Sequence, residues 1–224
     1  MSNPLEFLTV PANHLVTGLA ELVHVPTAAA IVLATVLVRL ILVPVGYAQH
    51  RADQRRSALI GKVVALRERF GSNKKRLDAE LTDLYRAEGG GLARGCLPML
   101  VQMPVFAGLY QLFLSPTIAG KANLLLHQTM FGVPLGTHLF AASGPQFFVF
   151  GGLLFLLAAI GFASSRLVRP LGAEPVGAAR VAMLVVPYLT VIAAVFVPLA
   201  ASLYLVTSTA WTVAQTVALR HWAG

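Results

Sequence analysis

Charged residues are scarce in this 224-residue chain, since Asp, Glu, Lys and Arg together make up only 12% of it while 57% is hydrophobic. A soluble domain carries about a quarter charged residues, so this composition excludes an ordinary soluble protein. At about 20 residues per membrane-spanning helix, the length accommodates about five spans with their loops. The sequence therefore predicts an all-α polytopic membrane protein.

Cysteine is almost absent. Cys96 stands alone, which excludes an intramolecular disulfide framework and a site built from several cysteines. The six histidines are scattered and never fall four residues apart, so we expect neither a metal site nor a cofactor. The first 23 residues contain Glu6 and Glu21 and no basic segment, so we expect no cleaved signal peptide.

Acidic residues are missing from the long apolar runs. We predict five spans at 25–48, 95–114, 145–165, 181–197 and 198–219, with Pro198 separating the last two because proline interrupts helical hydrogen bonding. All nine Asp and Glu residues lie outside these runs, and Arg39 is the one charge within them. Coupled transporters usually carry membrane carboxylates, so this absence weighs against a transporter.

The basic residues alternate between loops. Eleven Lys and Arg lie between the first and second spans, Lys121 alone lies between the second and third, three lie between the third and fourth, and Arg220 follows the fifth. Basic residues collect in cytoplasmic loops, so we predict an outer N-terminus, an external loop at 115–144, a cytoplasmic loop at 166–180 and a cytoplasmic tail at 220–224. Topology accounts for the net charge of +8 better than nucleic-acid binding does, and we expect no DNA partner.

Two further segments have helical patterns. Residues 1–24 are amphipathic and are predicted to lie on the outer membrane interface. Residues 49–94 contain two apolar seams on either side of Gly71–Asn73, which predicts an antiparallel cytoplasmic hairpin. The seams comprise Leu59, Val63, Leu66 and Phe70, then Leu77, Leu81 and Leu84. The basic residues expected to make contacts there are Arg55, Arg56, Arg67, Lys74, Lys75 and Arg76.

Arg39 is the most informative residue. It lies nine residues before Ala48, the predicted cytoplasmic end of the first span, or about 13 Å deep at 1.5 Å per residue. A charge at that depth costs at least about 2.5 kcal/mol, so it needs water or polar neighbours; snorkelling to the headgroups is the alternative. The neutral polar residues that we expect around it, in a wet positive groove, are Thr35, Gln102, Ser202, Tyr204, Thr207, Ser208, Thr209 and Gln215.

Four groups of residues, in chain order, form a recognisable series. They are Thr35–Arg39 with Pro44; Arg69–Gly71 with Arg76, Glu80 and Leu84–Arg86; Gly95–Phe106 with Leu109 and Tyr110; and Pro198 with Leu203, Tyr204, Ser208 and Gln215. Together they resemble the YidC/Oxa family of membrane protein insertases, in a short bacterial form without a large extracytoplasmic domain. The resemblance covers about residues 4 to 220. Ala200, Leu205 and Thr209 depart from the family's usual residues.

The resemblance implies a bacterial inner-membrane protein that inserts nascent hydrophobic segments through a groove open to cytoplasm and lipid. It implies Arg39 as the residue that attracts the substrate's polar flank, with Thr35, Gln102 and Tyr204 nearby. It further implies no enzymatic catalysis and no nucleotide. The implied partners are nascent membrane proteins and the lipid bilayer, together with the ribosome and the Sec translocon. A small transporter or channel subunit is the alternative function, and a structural assembly factor is a third.

Overall fold

The computed structural model describes residues 6–87, 107–108, 110–118, 120–167 and 178–223. The chain is mostly helical, as predicted. Its helices are α1 (Glu6–Val23), α2 (Thr27–Ile41), α3 (Val43–Phe70), α4 (Lys74–Ala87), α5 (Gln146–Leu167), α6 (Ala178–Phe196) and α7 (Leu199–Ala223). Residues 107–108 and 110–114 are also helical. Four short strands are β1 (Thr117–Ile118), β2 (Lys121–Ala122), β3 (Thr129–Met130) and β4 (Val133–Pro134). Most of the predicted second span and of the loop 166–180 lies outside the described residues.

Helix α1 lies across the beginning of α2. It continues through Pro11 and ends at His24, whose positive φ of 56° is typical of a helix C-terminus. The Val25 amide then donates to the Ala20 carbonyl at 3.2 Å, and Pro26 precedes α2. The chain bends by 115° between the two helices. Val16 of α1 is fully buried against the bundle, so α1 packs on the bundle through one apolar face.

The predicted first span is divided at Leu42. Pro44 stands at the beginning of α3, where its ring and its missing amide hydrogen disrupt the helix that precedes it. Hydrogen bonding resumes on both sides, since the Leu42 amide donates to the Val38 carbonyl and the Gly46 amide donates to the Leu42 carbonyl, each at 3.0 Å. The break follows Arg39 by three residues and therefore lies beside the candidate site.

The core of the bundle is centred on the first two turns of α7. Every residue from Leu199 to Val206 is buried, which is the pattern of a helix surrounded by others. Helices α2 and α5 pack on either side of it and α6 packs against α5. The side chains that complete this core include Ala30, Ile31 and Ala34 from α2 and Phe150, Leu153 and Leu157 from α5.

Individual contacts give the helix directions. Arg220, near the end of α7, donates from Nη1 to the carbonyl of Leu167, the last residue of α5, at 3.0 Å. The two helices therefore run in the same direction. The Ser202 hydroxyl at the beginning of α7 donates to the Ala194 carbonyl near the end of α6 at 3.1 Å, so α6 and α7 are antiparallel.

The segment between residue 114 and α5 is folded and docked on the bundle. Asn123 is almost fully buried, and its Nδ2 donates to the Leu112 and Ser115 carbonyls at 2.7 and 3.0 Å. Further along, the Thr137 and Leu135 carbonyls accept from the amides of Leu199 and Ala200, both at 2.9 Å. The first amides of a helix lack intrahelical partners. The segment therefore satisfies two such donors of α7 at the Pro198 break.

One helix of the described part of the chain, α5, is by itself long and apolar enough to cross a bilayer, with a mean hydropathy of 2.3. Helices α1 and α2 meet that criterion only as the bent pair Thr9–Val23 and Thr27–Ile41. Helix α2 does not meet the criterion alone because the break at Leu42 makes it short. Helix α7 does not meet it because a series of Ser, Thr and Gln residues lowers its hydropathy.

Helices α3 and α4 contact each other and are joined by a tight turn. The Asn73 side chain caps α4, because its Oδ1 accepts from the Arg76 amide at 3.2 Å. The seam residues are buried or half-buried while most of their neighbours, apart from Gly61 and Val64, are exposed, and α4 has no fully buried residue. The pairing therefore rests on one narrow apolar strip.

Candidate functional site

The Arg39 side chain reaches across the interface between α2 and α7. Its Nη2 donates a hydrogen bond to Ser208 Oγ, and Ser208 is itself buried. A guanidinium is a fixed positive charge with five donors, and hydrogen bonds to a charged group are stronger than those between neutral groups. The site thus begins as a half-buried arginine held by one hydroxyl of the central helix.

Tyr204 joins this pair. A side-chain hydrogen bond links Ser208 to the Tyr204 hydroxyl. The Tyr204 ring packs against Phe113 with the ring centres 6.3 Å apart. We call Arg39, Ser208 and Tyr204 the Arg39 cluster. Among the described residues, no carboxylate lies within ion-pair distance of Arg39, so the cluster has a positive charge opposed only by neutral groups.

A second contact lies seven residues further along the chain, where α3 meets α7. Gly46 of α3 and Gln215 of α7 meet so closely that a Cβ atom on Gly46 would lie 2.0 Å from Gln215 Nε2. Arg39 and Ser208 each precede this contact by seven residues. The equal spacing shows that the run from α2 into α3 lies parallel to α7.

Gln215 has an unsatisfied donor. Its Oε1 accepts from Trp211 Nε1 at 3.0 Å, which fixes the orientation of the side chain. Its Nε2 is buried and has no hydrogen-bond partner within the described residues. A buried donor without a partner is costly. The close approach of Gly46 leaves no space beside this amide, so a polar group or water reaches it only when the Gln215 side chain shifts.

The polar residues of α7 share one face. Tyr204, Ser208, Trp211 and Gln215 are separated by four, three and four residues, which is the spacing of helical neighbours. They form a polar strip from the Arg39 cluster to the Gly46 contact. Ser208 and Gln215 are seven residues apart, which corresponds to about 10.5 Å, or about two turns, along a helix.

The other residues predicted for the groove have different roles. The hydroxyls of Thr35, Thr207 and Thr209 donate to backbone carbonyls one turn earlier, at 2.7, 2.9 and 2.6 Å. Such bonds satisfy a hydroxyl inside its own helix. Ser202 uses its hydroxyl to join α7 to α6. Gln102 lies outside the described residues. The structure thus groups Arg39, Tyr204 and Ser208, with Gln215 further along the same face.

The basic residues of the α3–α4 pair lie at its surface. Arg55, Arg67, Lys74, Lys75 and Arg76 are exposed, while the side chain of Arg56 lies outside the described part. The Arg76 guanidinium lies 5.8 Å from the centre of the Phe70 ring, which is within cation–π distance. A groove of about 540 Å³ lies between α3 and α4. Leu66 and Leu84 line it together with basic and acidic side chains, including Arg69 and Asp83.

Sequence reasoning missed Gly46 and Asn123. Gly46 follows Pro44 by two residues in an apolar run, and a glycine inside a helix signals a close approach. Asn123 is an isolated amide between apolar residues, which is a signal for a turn. Neither pattern names the partner, because Gln215 and Leu112 are distant in sequence from the residues they contact.

The described residues contain no group of three or more His, Cys, Asp or Glu side chains that could hold a metal ion. The chemistry available at the Arg39 cluster is a positive charge and hydrogen-bond donation. This chemistry is complementary to an acidic or polar group.

A family model described as "60Kd inner membrane protein" matches residues 18–223 of the chain. Proteins named membrane protein insertase YidC are similar to it. The one from Actinobacillus pleuropneumoniae is 38% identical over 103 residues, which cover 46% of this chain and 18% of the relative. That from Nitratidesulfovibrio vulgaris is 35% identical over 98 residues, 44% of this chain and 18% of the relative. That from Actinobacillus succinogenes is 33% identical over 154 residues, 67% of this chain and 27% of the relative. The chain therefore spans less than a third of the length of these relatives.

Proposed function

We propose, because this chain belongs to the 60Kd inner membrane protein family, that it is an insertase that transfers hydrophobic segments of nascent proteins into the bacterial inner membrane. The observation that carries the proposal is the Arg39 cluster. A guanidinium within a membrane bundle is held there by a neutral hydroxyl, whereas intramembrane charges usually pair or line a substrate path. Arg39 is therefore available to an incoming acidic or polar group.

The first step of the proposed mechanism is an exchange of partners at Arg39. A substrate carboxylate forms a stronger hydrogen bond with the guanidinium than Ser208 does, because both groups are then charged. The surrounding low dielectric strengthens that attraction further. The substrate's polar flank replaces Ser208 as the partner of Arg39, and Ser208 and Tyr204 remain hydrogen-bonded to each other.

The polar strip of α7 supplies the path to that point. Gln215 Nε2, a buried donor, lies two turns further along the strip than Ser208 and toward the end of the helix that carries Arg220. A flank that enters from this end meets Gln215 first and the Arg39 cluster second. Each donor offsets part of the cost of dehydrating the flank's polar groups.

Release of the substrate's apolar helix into lipid provides the driving free energy. About 20 apolar residues at a few tenths of a kcal/mol each favour insertion. Helices α2 and α5 expose large apolar side chains beside the bundle, among them Leu37, Leu40, Phe148, Phe155 and Phe162. We assign these side chains to the lipid-facing surface, along which the substrate helix leaves.

The proposed topology has five spans with the N-terminus outside and the C-terminus in the cytoplasm. It is supported by the parallel directions of α2, α5 and α7 and the antiparallel direction of α6, because odd-numbered spans must share one direction. Arg166 and Arg220 then lie on the side of the basic α3–α4 pair. We assign that pair to the cytoplasm, where it receives the nascent chain, the ribosome or the Sec translocon.

The folded segment between residue 114 and α5 favours an insertase over a channel. Its buried Leu135 and Val133 and its hydrogen bonds to Leu199 and Ala200 cover the outer beginning of α7 with apolar and satisfied groups. An ion pore needs a polar path through both leaflets. An ion-flux measurement on purified protein in liposomes is therefore expected to show no conductance above that of empty liposomes.

The proposal is tested by complementation of a bacterial strain depleted of its own insertase. The chain is expected to restore growth and the insertion of new membrane proteins, read out by protease protection of the substrate. Growth without protease-protected substrate would instead favour an assembly factor. Conductance in liposomes combined with no complementation would favour the channel.

A further inference from the structure

The segment that precedes α5 has an apolar surface. No Asp, Glu, Lys or Arg occurs between Lys121 and Arg166, although part of this stretch is loop rather than span. The side chains of Leu124, Phe131 and Phe140 are 70, 84 and 74% exposed. Connecting loops in water are normally polar, and clustered exposed apolar groups mark contact with a partner or a membrane.

Phe131 occupies a position that disfavours it. Met130 pairs with Val133, so Phe131 and Gly132 form a two-residue turn between β3 and β4, and both have positive φ, 51° and 79°. Such turns favour Asn-Gly, because asparagine and glycine tolerate positive φ. A bulky residue there is an outlier, and local strain of this kind is typical of functional positions. The exposed ring therefore has a role other than forming the turn.

An apolar groove of about 440 Å³ lies directly beside this turn. Its walls are Ala28, Ala29 and Val32 of α2, Met130 and Phe131 of the hairpin, and Leu203 of α7. Its volume is within the range of small-molecule sites, about 300 to 1,000 Å³. The small side chains of Ala28 and Ala29 form the depression, and the ring of Phe131 forms its rim. The groove carries no charge.

We propose that the β3–β4 hairpin is embedded in the outer leaflet of the membrane, with the Phe131 ring among acyl chains and one phospholipid acyl chain in the groove against α2. Lipid is the occupant because the groove is uncharged and exposed apolar side chains accompany it, namely Phe131 at its rim and Leu33, which follows the lining residue Val32 in α2, in a protein of an inner-membrane family. A charged ligand finds no charged partner there, and the walls are apolar except for the Thr129 hydroxyl. The assignment of the hairpin to the outer leaflet rests on the proposed topology, whereas its burial in lipid does not.

The neighbouring β1–β2 hairpin provides an internal contrast. It lies in the same segment. The residue beside its turn is the exposed Lys121, which begins β2 directly after Gly120, a residue with positive φ. A lysine prefers headgroups or water, while a phenylalanine prefers the acyl region. The two turns are therefore assigned to different depths, with the β1–β2 turn on the aqueous side and the β3–β4 turn in the hydrocarbon.

Spin labels test this assignment. Single cysteines at Phe131→Cys and Lys121→Cys, in a Cys96→Ser background, are labelled with a nitroxide before reconstitution in liposomes of phosphatidylethanolamine and phosphatidylglycerol. Collisions with oxygen, which concentrates in lipid, are compared with collisions with a water-soluble nickel chelate. Oxygen is expected to dominate at position 131 and the nickel chelate at position 121. Equal accessibility of both labels to the nickel chelate would overturn the proposal.

A photoreactive benzophenone side chain at position 131 identifies the occupant. In the same liposomes, without any nascent chain, it is expected to form an adduct with phospholipid. An adduct with a second copy or, when nascent chain is added, with that chain alone would overturn the proposal. Phe131→Asn is the companion variant, since asparagine suits the turn and should keep it folded. A fluorescent probe at Met130→Cys reports the position of the hairpin. Quenchers attached to the acyl chains of the liposome lipids are expected to lose contact with this probe in the Phe131→Asn variant. Neither readout depends on insertion activity.

Discussion

Arg39 of α2 donates a hydrogen bond to the hydroxyl of Ser208 of α7, two residues that are 169 positions apart in the chain. This contact places a positive charge at the interface between α2 and α7, beside a neutral acceptor that, in the proposed mechanism, a substrate carboxylate replaces. The proposed function and the first prediction below both depend on it.

Removal of the charge is expected to impair insertion selectively. Arg39→Ala should slow substrates with an acidic outer flank, because a hydrogen bond to a charged group contributes about 1.5 to 3 kcal/mol, or roughly tenfold to a hundredfold in rate. Arg39→Lys should retain much of the rate. Protease protection of substrates with acidic or neutral flanks measures both. Equal effects of Arg39→Ala on the two flanks would contradict an electrostatic role.

Gly46 is expected to tolerate no large side chain, whereas the flexible end of the Gln215 side chain can move aside for a single added carbon. Gly46→Leu should displace Gln215 and separate α3 from α7, because over-packing an interface costs about 1 to 3 kcal/mol. Gly61→Leu is the matched control, since Gly61 lies in the same helix with nothing within 4 Å of an added Cβ, and leucine is a better helix former than glycine. Thermal unfolding in detergent should show a lower midpoint for the first variant only.

Asn123 is expected to hold the outer segment in place. Asn123→Ala leaves the Leu112 carbonyl and the Leu125 amide without their side-chain partner, at a cost of about 1 to 3 kcal/mol for a buried group. The segment should then become sensitive to a protease added from outside. Gln128→Ala, at an exposed position, should not change sensitivity. Equal resistance of Asn123→Ala and the unaltered protein would show that the segment is held by its apolar contacts alone.

The apolar seam of α3 and α4 is expected to be essential for activity but not for integration into the membrane. Leu66→Asp combined with Leu81→Asp places charge on both half-buried strips and should separate the helices. Glu68→Ala with Asp78→Ala, at exposed positions, is the control. The first double variant should reach the membrane and fail to complement, and the control should complement. Full complementation by both would mean that the pairing is dispensable.

Sequence patterns predicted the features that depend on local composition. The isolated charge of Arg39, the apolar runs and the seams of α3 and α4 can be identified from the sequence alone. The prediction of a mostly helical chain of this family is confirmed. The break at Leu42 follows from Pro44, although the predicted first span ran through it. These features need no knowledge of distant contacts.

Other features depend on contacts between residues remote in sequence. The fold of the segment before α5 rests on strands of two residues and on the Thr137 and Leu135 carbonyls, which accept hydrogen bonds from the beginning of α7. No periodicity in the sequence indicates these contacts. The spacing of polar residues along α7 did not show which hydroxyls satisfy the backbone. Ser208 reaches Arg39, whereas Thr207 and Thr209 bond to their own helix.

The most direct test of the central claim is a disulfide between Ser208→Cys and a cysteine in the polar flank of a nascent chain stalled during insertion, in a Cys96→Ser background. Ala214→Cys lies on another face of α7 and is exposed, so it serves as the control position. The account predicts that Ser208→Cys crosslinks the flank, that Ala214→Cys does not, and that Arg39→Ala abolishes the crosslink. Crosslinking to the substrate's apolar helix instead of its flank, or equal crosslinking with and without Arg39, would contradict the account.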